Sequence, residues 1–88
     1  MKDKLTEEEI ILLKQLGRRI REFRIKRGFS NYEHFAYDNN ISRTQYGKYE
    51  TGSNIQILTL LKILKGLDVS FSEFFSKGFE NLNNQIDE

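Results

Sequence analysis

Residues 29–52 read FSNYEHFAYDNNISRTQYGKYETG, and this stretch decides the fold. It predicts two short helices joined by a tight turn. Asn39 and Asn40 favour the turn, because asparagine tolerates the left-handed conformation better than most residues. Ser42 can cap the second helix and Gly52 can end it. Two helices joined by a turn of a few residues can place one of them in a DNA major groove.

Capping signals outside this unit predict two further helices, and the apolar run at 57–64 predicts a third. Thr6 and Glu9 form a capping box, Gly28 ends the helix that begins there, and Ser70 with Glu73 forms a second box. We therefore expect five helices, at about 7–27, 32–38, 43–51, 57–67 and 71–77.

The spacing of apolar residues predicts which face of each helix is buried. In the first helix, apolar residues recur at three- and four-residue steps, and Leu5 with Ile10 predicts a hydrophobic staple. The residues expected to face inward are Ile10, Leu13, Leu16, Ile20, Phe23, Phe35, Ala36, Tyr46, Tyr49, Ile57, Leu60, Leu61, Leu64, Phe74 and Phe75, with Ile41 packed before the third helix.

Composition limits the classes of protein to consider. Eighty-eight residues make one small domain, and the absence of cysteine excludes a disulfide framework and fits a reducing cytoplasm. The longest apolar run, 10–13, is too short to span a membrane, and the N-terminus lacks the features of a signal peptide. We therefore predict a cytoplasmic protein.

Charge is distributed unevenly along the chain. The span 14–65 holds eleven basic and four acidic residues, a net charge of +7, whereas the two ends together carry −6. A basic middle with acidic ends suits a core that binds a polyanion, although soluble helices carry many charges in any case.

Residues suited to catalysis are scarce. His34 is the only histidine, and no cluster of histidines and carboxylates has metal-ligand spacing. The six glycines are scattered, so none forms a phosphate-cradling loop. We predict no enzyme activity, no cofactor and no metal site.

The predicted third helix carries a row of hydrogen-bonding side chains. Arginine and lysine match the guanine acceptors of the major groove, glutamine can pair with adenine, and threonine can contact a thymine methyl group. The candidate base-reading residues are Arg43, Thr44, Gln45 and Lys48. The alternative is that any exposed helix face carries such residues.

Two turns flank this helix and could bind phosphates on either side of the groove. The candidates are Ser30, Asn31 and Tyr32 before the second helix, and Ser53 and Asn54 after the third. The alternative is ordinary turn and capping chemistry.

Gly47 lies inside the third helix, where glycine costs about 0.5–1 kcal/mol relative to alanine. Close approach of a DNA backbone or of another helix would explain it, and so would simple tolerance in a short helix.

Several segments resemble a known family in the same order and spacing. They are LGRRIREFR at 16–24, the two-helix unit, YETG at 49–52, LLKIL at 60–64, LDVS at 67–70 and EFF at 73–75. The chain from about 16 to 75 resembles the helix-turn-helix domain of the phage Cro and repressor type, the XRE family. The resemblance implies an all-α, five-helix fold like that of lambda repressor, which binds operator DNA as a regulator of transcription, usually as a dimer.

The resemblance also implies roles for individual residues. Arg43, Thr44 and Lys48 match the base-reading positions, and Asn31 matches a polar phosphate contact. Arg24 and Glu50 match a pair that bridges the first helix to the end of the third, and Arg24 could also face the DNA backbone.

The chain departs from the family pattern in four places. The loop before the second helix is one residue longer, which leaves Ser30 and Asn31 as alternative caps. Asn39 replaces an apolar residue, Asn40 replaces the turn glycine, and Ile55 stands where proline is common.

The helix start at Thr6 is additional to the family domain. We expect an N-terminal helical extension at 1–15, the DNA-binding domain at 16–79 and a flexible tail at 80–88. The apolar run 10–13 of the extension either packs against a partner subunit or the C-terminal helix, or simply covers the fifth helix within one chain.

Two functions are compatible with these observations. The first is a sequence-specific DNA-binding regulator, a repressor, whose homodimer places two recognition helices about 34 Å apart on a near-palindrome. The alternative is a protein-interaction module that retains the fold, such as an antitoxin or an assembly partner. No small-molecule ligand is evident.

Overall fold

The computed structural model describes residues 4–80, and within that range it contains helices and no strand. This result confirms the predicted all-α class. The five helices are α1 (Glu7–Lys26), α2 (Tyr32–Asp38), α3 (Arg43–Glu50), α4 (Ile57–Leu67) and α5 (Phe71–Phe74). Every helix begins at the residue that the sequence predicts.

Side-chain caps account for most of these helix starts. Thr6 and Glu9 exchange hydrogen bonds of 2.9 and 3.1 Å in the predicted capping box. Asn31 caps α2, since its Oδ1 accepts from the Glu33 and His34 backbone N–H groups at 2.7 and 3.2 Å. The choice between the two possible caps thus falls on Asn31 and not on Ser30.

The turn between α2 and α3 has the predicted form. Asn40 has a φ of 59°, in the left-handed region, and Ser42 Oγ accepts from the Gln45 N–H at 3.3 Å. Asn39, which replaces an apolar residue of the family pattern, donates from Nδ2 to the Phe35 carbonyl at 2.9 Å. The polar substitution is therefore satisfied locally.

The prediction that the fifth helix reaches residue 77 is wrong. It ends at Phe74 because Arg19 of α1 donates hydrogen bonds to its last carbonyl oxygens. Arg19 Nε lies 2.9 Å from Phe74 O, and Nη2 lies 3.2 Å from Glu73 O. The chain then turns through Gly78 at a φ of 94° and buries Phe79. This last aromatic residue packs beside Phe74, with ring centroids 6.1 Å apart.

All five helices contribute to the core, which lies between them. Its largest fully buried side chains are Ile20, Phe35, Tyr46, Ile63, Leu64, Leu67 and Phe74. Three residues that were expected to face inward are instead exposed: Ile10 at 40%, Ile57 at 62% and Phe75 at 40%.

The physical reason for these errors is the same in each case. Periodicity gives the direction of a side chain but not the extent of the cover above it. Residues 4–11 are all exposed, so the first turn of α1 extends beyond the helices that cover its later turns. Ile57 likewise lies in the exposed first turn of α4, and the buried stripe begins at Leu60.

The N-terminal extension continues α1 without a break. Leu5, Ile10 and Ile11 keep 40–48% of their surface exposed within one chain, so the partner hypothesis for this segment stays a prediction. The proposed domain bounds also stay predictions. The tail at 80–88 lies outside the described residues except for Glu80.

Candidate nucleic-acid interface

Helix α3 is anchored by two aromatic residues on one face. Tyr46 is fully buried and Tyr49 nearly so. Because an α-helix turns every 3.6 residues, the remaining side chains of its first two turns point to solvent. The four predicted base-reading residues are all exposed: Arg43, Thr44, Gln45 and Lys48.

A buried ion pair fixes the end of α3 against α1. Arg24 donates from Nε to Glu50 Oε2 at 2.7 Å and from Nη2 to Oε1 at 3.2 Å. The side chains are only 5% and 8% exposed. Arg24 also donates to the Phe29 carbonyl, and the Tyr46 hydroxyl donates to Glu50 Oε2 at 2.5 Å.

Burial limits the surface that Arg24 can offer. Only 4% of the residue is exposed, which counts against the expectation that it also faces the DNA backbone. The carboxylate of Glu50 accepts hydrogen bonds from Arg24 and from Tyr46. The bidentate pair with Arg24 is strong because both groups are charged. Arg24 therefore positions α3 through Glu50.

This cluster shifts two pKa values. The hydrogen bond from Arg24 to Glu50 raises the pKa of Arg24, although its burial acts in the opposite direction. Burial raises the pKa of Tyr46 far above its ordinary value, and the hydrogen bond to Glu50 adds to that shift. Tyr46 thus remains a neutral hydrogen-bond donor, which keeps the cluster satisfied.

Close packing explains two glycines. A Cβ added at Gly17 would lie 2.5 Å from the Tyr49 carbonyl oxygen, so glycine allows α1 to approach the backbone of α3. A Cβ added at Gly47 would lie 3.0 Å from the Tyr32 ring. Of the explanations considered for Gly47, the structure therefore supports the approach of another helix, namely α2.

Tyr32 fills the space above Gly47. Its ring is roughly parallel to that of Tyr46, with centroids 6.2 Å apart and an interplanar angle of 29°. The residue is nevertheless 38% exposed. This predicted phosphate contact therefore also fixes the distance between α2 and α3.

Two shallow grooves lie beside the exposed side of α3. Arg43 lines one of them together with Asn31 and the exposed face of α2. Thr44 and Lys48 line the other together with Tyr32. The fold thus brings three base-reading candidates next to two phosphate candidates, while Gln45 is exposed but lines neither groove.

The remaining phosphate candidates differ in their availability. Asn31 uses Oδ1 as a cap, which leaves its amide NH₂ group as the one able to donate to a phosphate. Ser30 and Asn54 are exposed. Ser53 is half-buried, and its backbone N–H donates to the Lys48 carbonyl at 3.0 Å, so only its side chain is available.

The sequence predictions missed three basic residues of α1 beside this surface. Arg21 lines the groove that holds Thr44 and Lys48. Lys14, Arg18 and Arg21 together line a neighbouring groove at the end of α3. Their spacing, i, i+4 and i+7, is the signal that could have placed them on one face.

Within residues 4–80, no helix is long and apolar enough to cross a membrane. In the same range, no group of three or more histidine, cysteine, aspartate or glutamate residues could hold a metal ion.

Comparisons with known proteins give a consistent result. The family model described as "Helix-turn-helix" matches residues 20–74. The wild-type restriction-modification controller protein C.Esp1396I is 31% identical, with a TM-score of 0.70 over 83% of this chain and 95% of that one. Two single-residue mutants of that protein have 30% and 31% identity, TM-scores of 0.72, and cover 83% of this chain and 97% of theirs. Among curated protein sequences there is no significant match.

Proposed function

We propose, from the premise that this chain belongs to the helix-turn-helix family and is a sequence-specific DNA-binding regulator of transcription, that α3 enters the major groove of operator DNA. The resemblance to the XRE family and the five-helix fold are confirmed by the family match and the solved structures. The roles of individual residues are our proposal.

The observation that carries this assignment is the division of α3 into an anchored side and an exposed side. The buried tyrosines and the Arg24–Glu50 pair hold the helix rigidly. A rigid helix can present its polar side chains without a large loss of conformational entropy on binding. The residues that we propose to read base edges are Arg43, Thr44, Gln45 and Lys48.

Arg43 is the strongest candidate among them. It lies in the first turn of α3, and recognition helices contact bases mainly through their N-terminal residues. A guanidinium can donate two hydrogen bonds to O6 and N7 of one guanine. We therefore propose that Arg43 reads a guanine.

Phosphates on either side of the groove would set the register of α3. We assign this role to the exposed residues of the two flanking turns, which are Ser30, Asn31, Tyr32, Ser53 and Asn54. Such contacts carry no sequence information but supply affinity that depends on salt.

We further propose that the protein acts as a homodimer in the cytoplasm. Its exposed apolar residues include Ile57, Leu58 and Phe71, which are 62%, 73% and 37% exposed. A second copy that covered these residues would bury apolar surface. A dimer with two-fold symmetry would read a near-palindrome.

Occupation of an operator can repress transcription without any surface beyond the DNA-binding one. The similarity to restriction-modification controller proteins makes promoters of such genes the first operators to test.

Selection of bound sequences from a pool of random duplex DNA tests this function. We expect a near-palindrome whose half-sites are about 10 base pairs apart. In a repeated selection, Arg43→Ala should lose the preference at one position per half-site, which corresponds to about 1–3 kcal/mol of discrimination. Lys65→Ala, on the exposed part of α4, is the matched control and should recover the wild-type sequence.

Two results would overturn the proposal. One is a pool without enrichment together with binding that lacks steep salt dependence, which would favour the protein-interaction module. The other is an unchanged base preference in Arg43→Ala, which would remove Arg43 from the reading surface.

A further inference from the structure

We propose that Lys14, Arg18 and Arg21 form a second row of DNA phosphate contacts, which extends the binding surface from α3 along α1. These three residues are called the α1 basic stripe below. The inference rests on the proposed placement of α3 in the major groove. It assigns a role to residues outside the recognition helix and its flanking turns.

The stripe lies beside the end of α3. Arg18 and Arg21 line a groove with Glu50 and Thr51, at the end of α3. Arg21 also lines the groove of Thr44 and Lys48, so the stripe meets the proposed base-reading surface at this residue.

Lys14 brings the opposite end of the stripe to the turn that follows α3. Its Cγ lies 3.2 Å from the place where a Cβ of Gly52 would be. Gly52 immediately precedes Ser53 and Asn54, which we propose as phosphate contacts. The stripe therefore runs from one proposed contact surface to another.

The three basic side chains of the stripe are free of acidic partners within residues 4–80. All three side chains are exposed, and within residues 4–80 none of them forms an ion pair. Glu50 lines the same groove, but its carboxylate is already bound by Arg24 and Tyr46. The groove therefore holds three basic side chains, none of which forms an ion pair with an acidic group of the described chain.

The length of the stripe is comparable with the spacing of phosphates along DNA. The ends of the stripe are seven positions apart, which at 1.5 Å per residue is about 10 Å. One strand of B-DNA carries a phosphate about every 3.4 Å along the axis. Three flexible cations over this length suit a short row of phosphates on one strand, which they would bind without reading sequence.

The double variant Lys14→Gln/Arg18→Gln tests the inference in the full chain. The probe is the duplex enriched in the selection, and its affinity is measured over a range of salt concentrations. Loss of two phosphate contacts should reduce the slope of log K against log[salt] by about 2 and weaken binding about 10- to 60-fold at 0.1 M salt. The selected base preference should stay unchanged.

Lys65→Gln/Lys77→Gln is the matched control, because it removes the same charge from exposed lysines that line neither groove beside α3. It should keep the wild-type slope. All variants should melt at the wild-type temperature, which excludes loss of folding as the cause. If both double variants change the slope equally, the effect is one of net charge and the stripe proposal fails.

An unchanged slope in Lys14→Gln/Arg18→Gln would also overturn the stripe proposal. That failure differs from failure of the proposed function. In the first case the wild type still binds the selected duplex and Arg43→Ala still relaxes its base preference. In the second case no sequence is enriched at all.

Discussion

The buried and the exposed basic residues of α1 use the same residue types for different purposes. Arg24 is buried and donates to a buried carboxylate, whereas Lys14, Arg18 and Arg21 are exposed and have no acidic partner within residues 4–80. Arg19 and Arg27 belong with Arg24, since each donates to carbonyls near the end of another helix.

The difference shows that the number of basic residues overestimates the charge available to DNA. Arg27 donates to Leu67 O at 2.7 Å and to Asp68, and so completes the end of α4. Arg19 completes the end of α5 and lies over the Phe23 ring, 4.6 Å from its centroid. A guanidinium with five donors suits these carbonyls as well as it suits a phosphate, so only the position of the residue decides its role.

The largest expected effect compares a buried with an exposed arginine of α1. Arg24→Met leaves the Glu50 carboxylate buried without its main partner, so we expect a loss of about 3–5 kcal/mol of unfolding free energy. Arg21→Met, at an exposed position, should change stability by no more than about 0.5 kcal/mol but should weaken DNA binding. Urea denaturation and a binding titration measure the two quantities.

A second variant separates charge from packing in this comparison. Arg24→Met/Glu50→Gln removes the unpaired charge and keeps a partner for the Tyr46 hydroxyl, so part of the lost stability should return. Equal stability of Arg24→Met and Arg21→Met would contradict the distinction between the buried and the exposed basic residues of α1.

The next largest effect concerns the approach of α1 to α3. Gly17→Ala would place a methyl group against the backbone at Tyr49 and Glu50, which cannot move without moving α3. We expect a loss of about 1–3 kcal/mol, as in other overpacked interiors, together with weaker DNA binding. Thermal melting and the same binding titration would measure these changes.

Gly66→Ala is the control for that prediction. The atoms nearest to its methyl group would be those of the side-chain amide of Asn39, which can rotate away. The cost of losing the hydrogen bond to Phe35, about 1 kcal/mol, is offset by the gain of alanine over glycine inside a helix. Similar losses in both variants would show that the α1–α3 contact is not special.

The smallest expected effect is a pH dependence of the buried cluster. Unfolded tyrosine has a pKa of about 10, whereas the pKa of folded Tyr46 is raised by burial and by its hydrogen bond to Glu50. Below pH 10 both states hold the proton and the contribution to stability is complete. Above pH 10 only the unfolded state releases the proton, so the unfolding free energy should fall by about 1.4 kcal/mol per pH unit.

Tyr46→Phe provides the control for this slope. The variant lacks the hydroxyl proton and should lose less stability between about pH 10 and 11.5, while all other titrating groups stay the same. Urea denaturation at several pH values compares the two proteins. Identical slopes would show that Tyr46 is not the group responsible.

Helix starts were predictable because the signals for them are local. A cap and the N–H group that donates to it are only two or three residues apart, as in Thr6 with Glu9 and Asn31 with Glu33. The end of α5 was not predictable, because it depends on a hydrogen bond from Arg19, which is 55 residues from Phe74 in the sequence.

The candidate site divides in the same way. The exposed row that contains Arg43 and Lys48 followed from helical period once the buried tyrosines were assigned. Helical period did not predict the position of the α1 basic stripe, because the spacing of Lys14 and Arg18 does not show which other helix lies beside them.

The sequence by itself thus determined the number and starts of the helices, the turn at Asn40 and the polar row of α3. Caps, turns and periodicity act within a few residues, so they can be read along the chain. The tertiary structure alone decided which basic residues of α1 are buried and which remain open to a phosphate. Burial depends on contacts between distant segments, such as that of Gly17 with Tyr49, and these contacts exist only once the helices have packed.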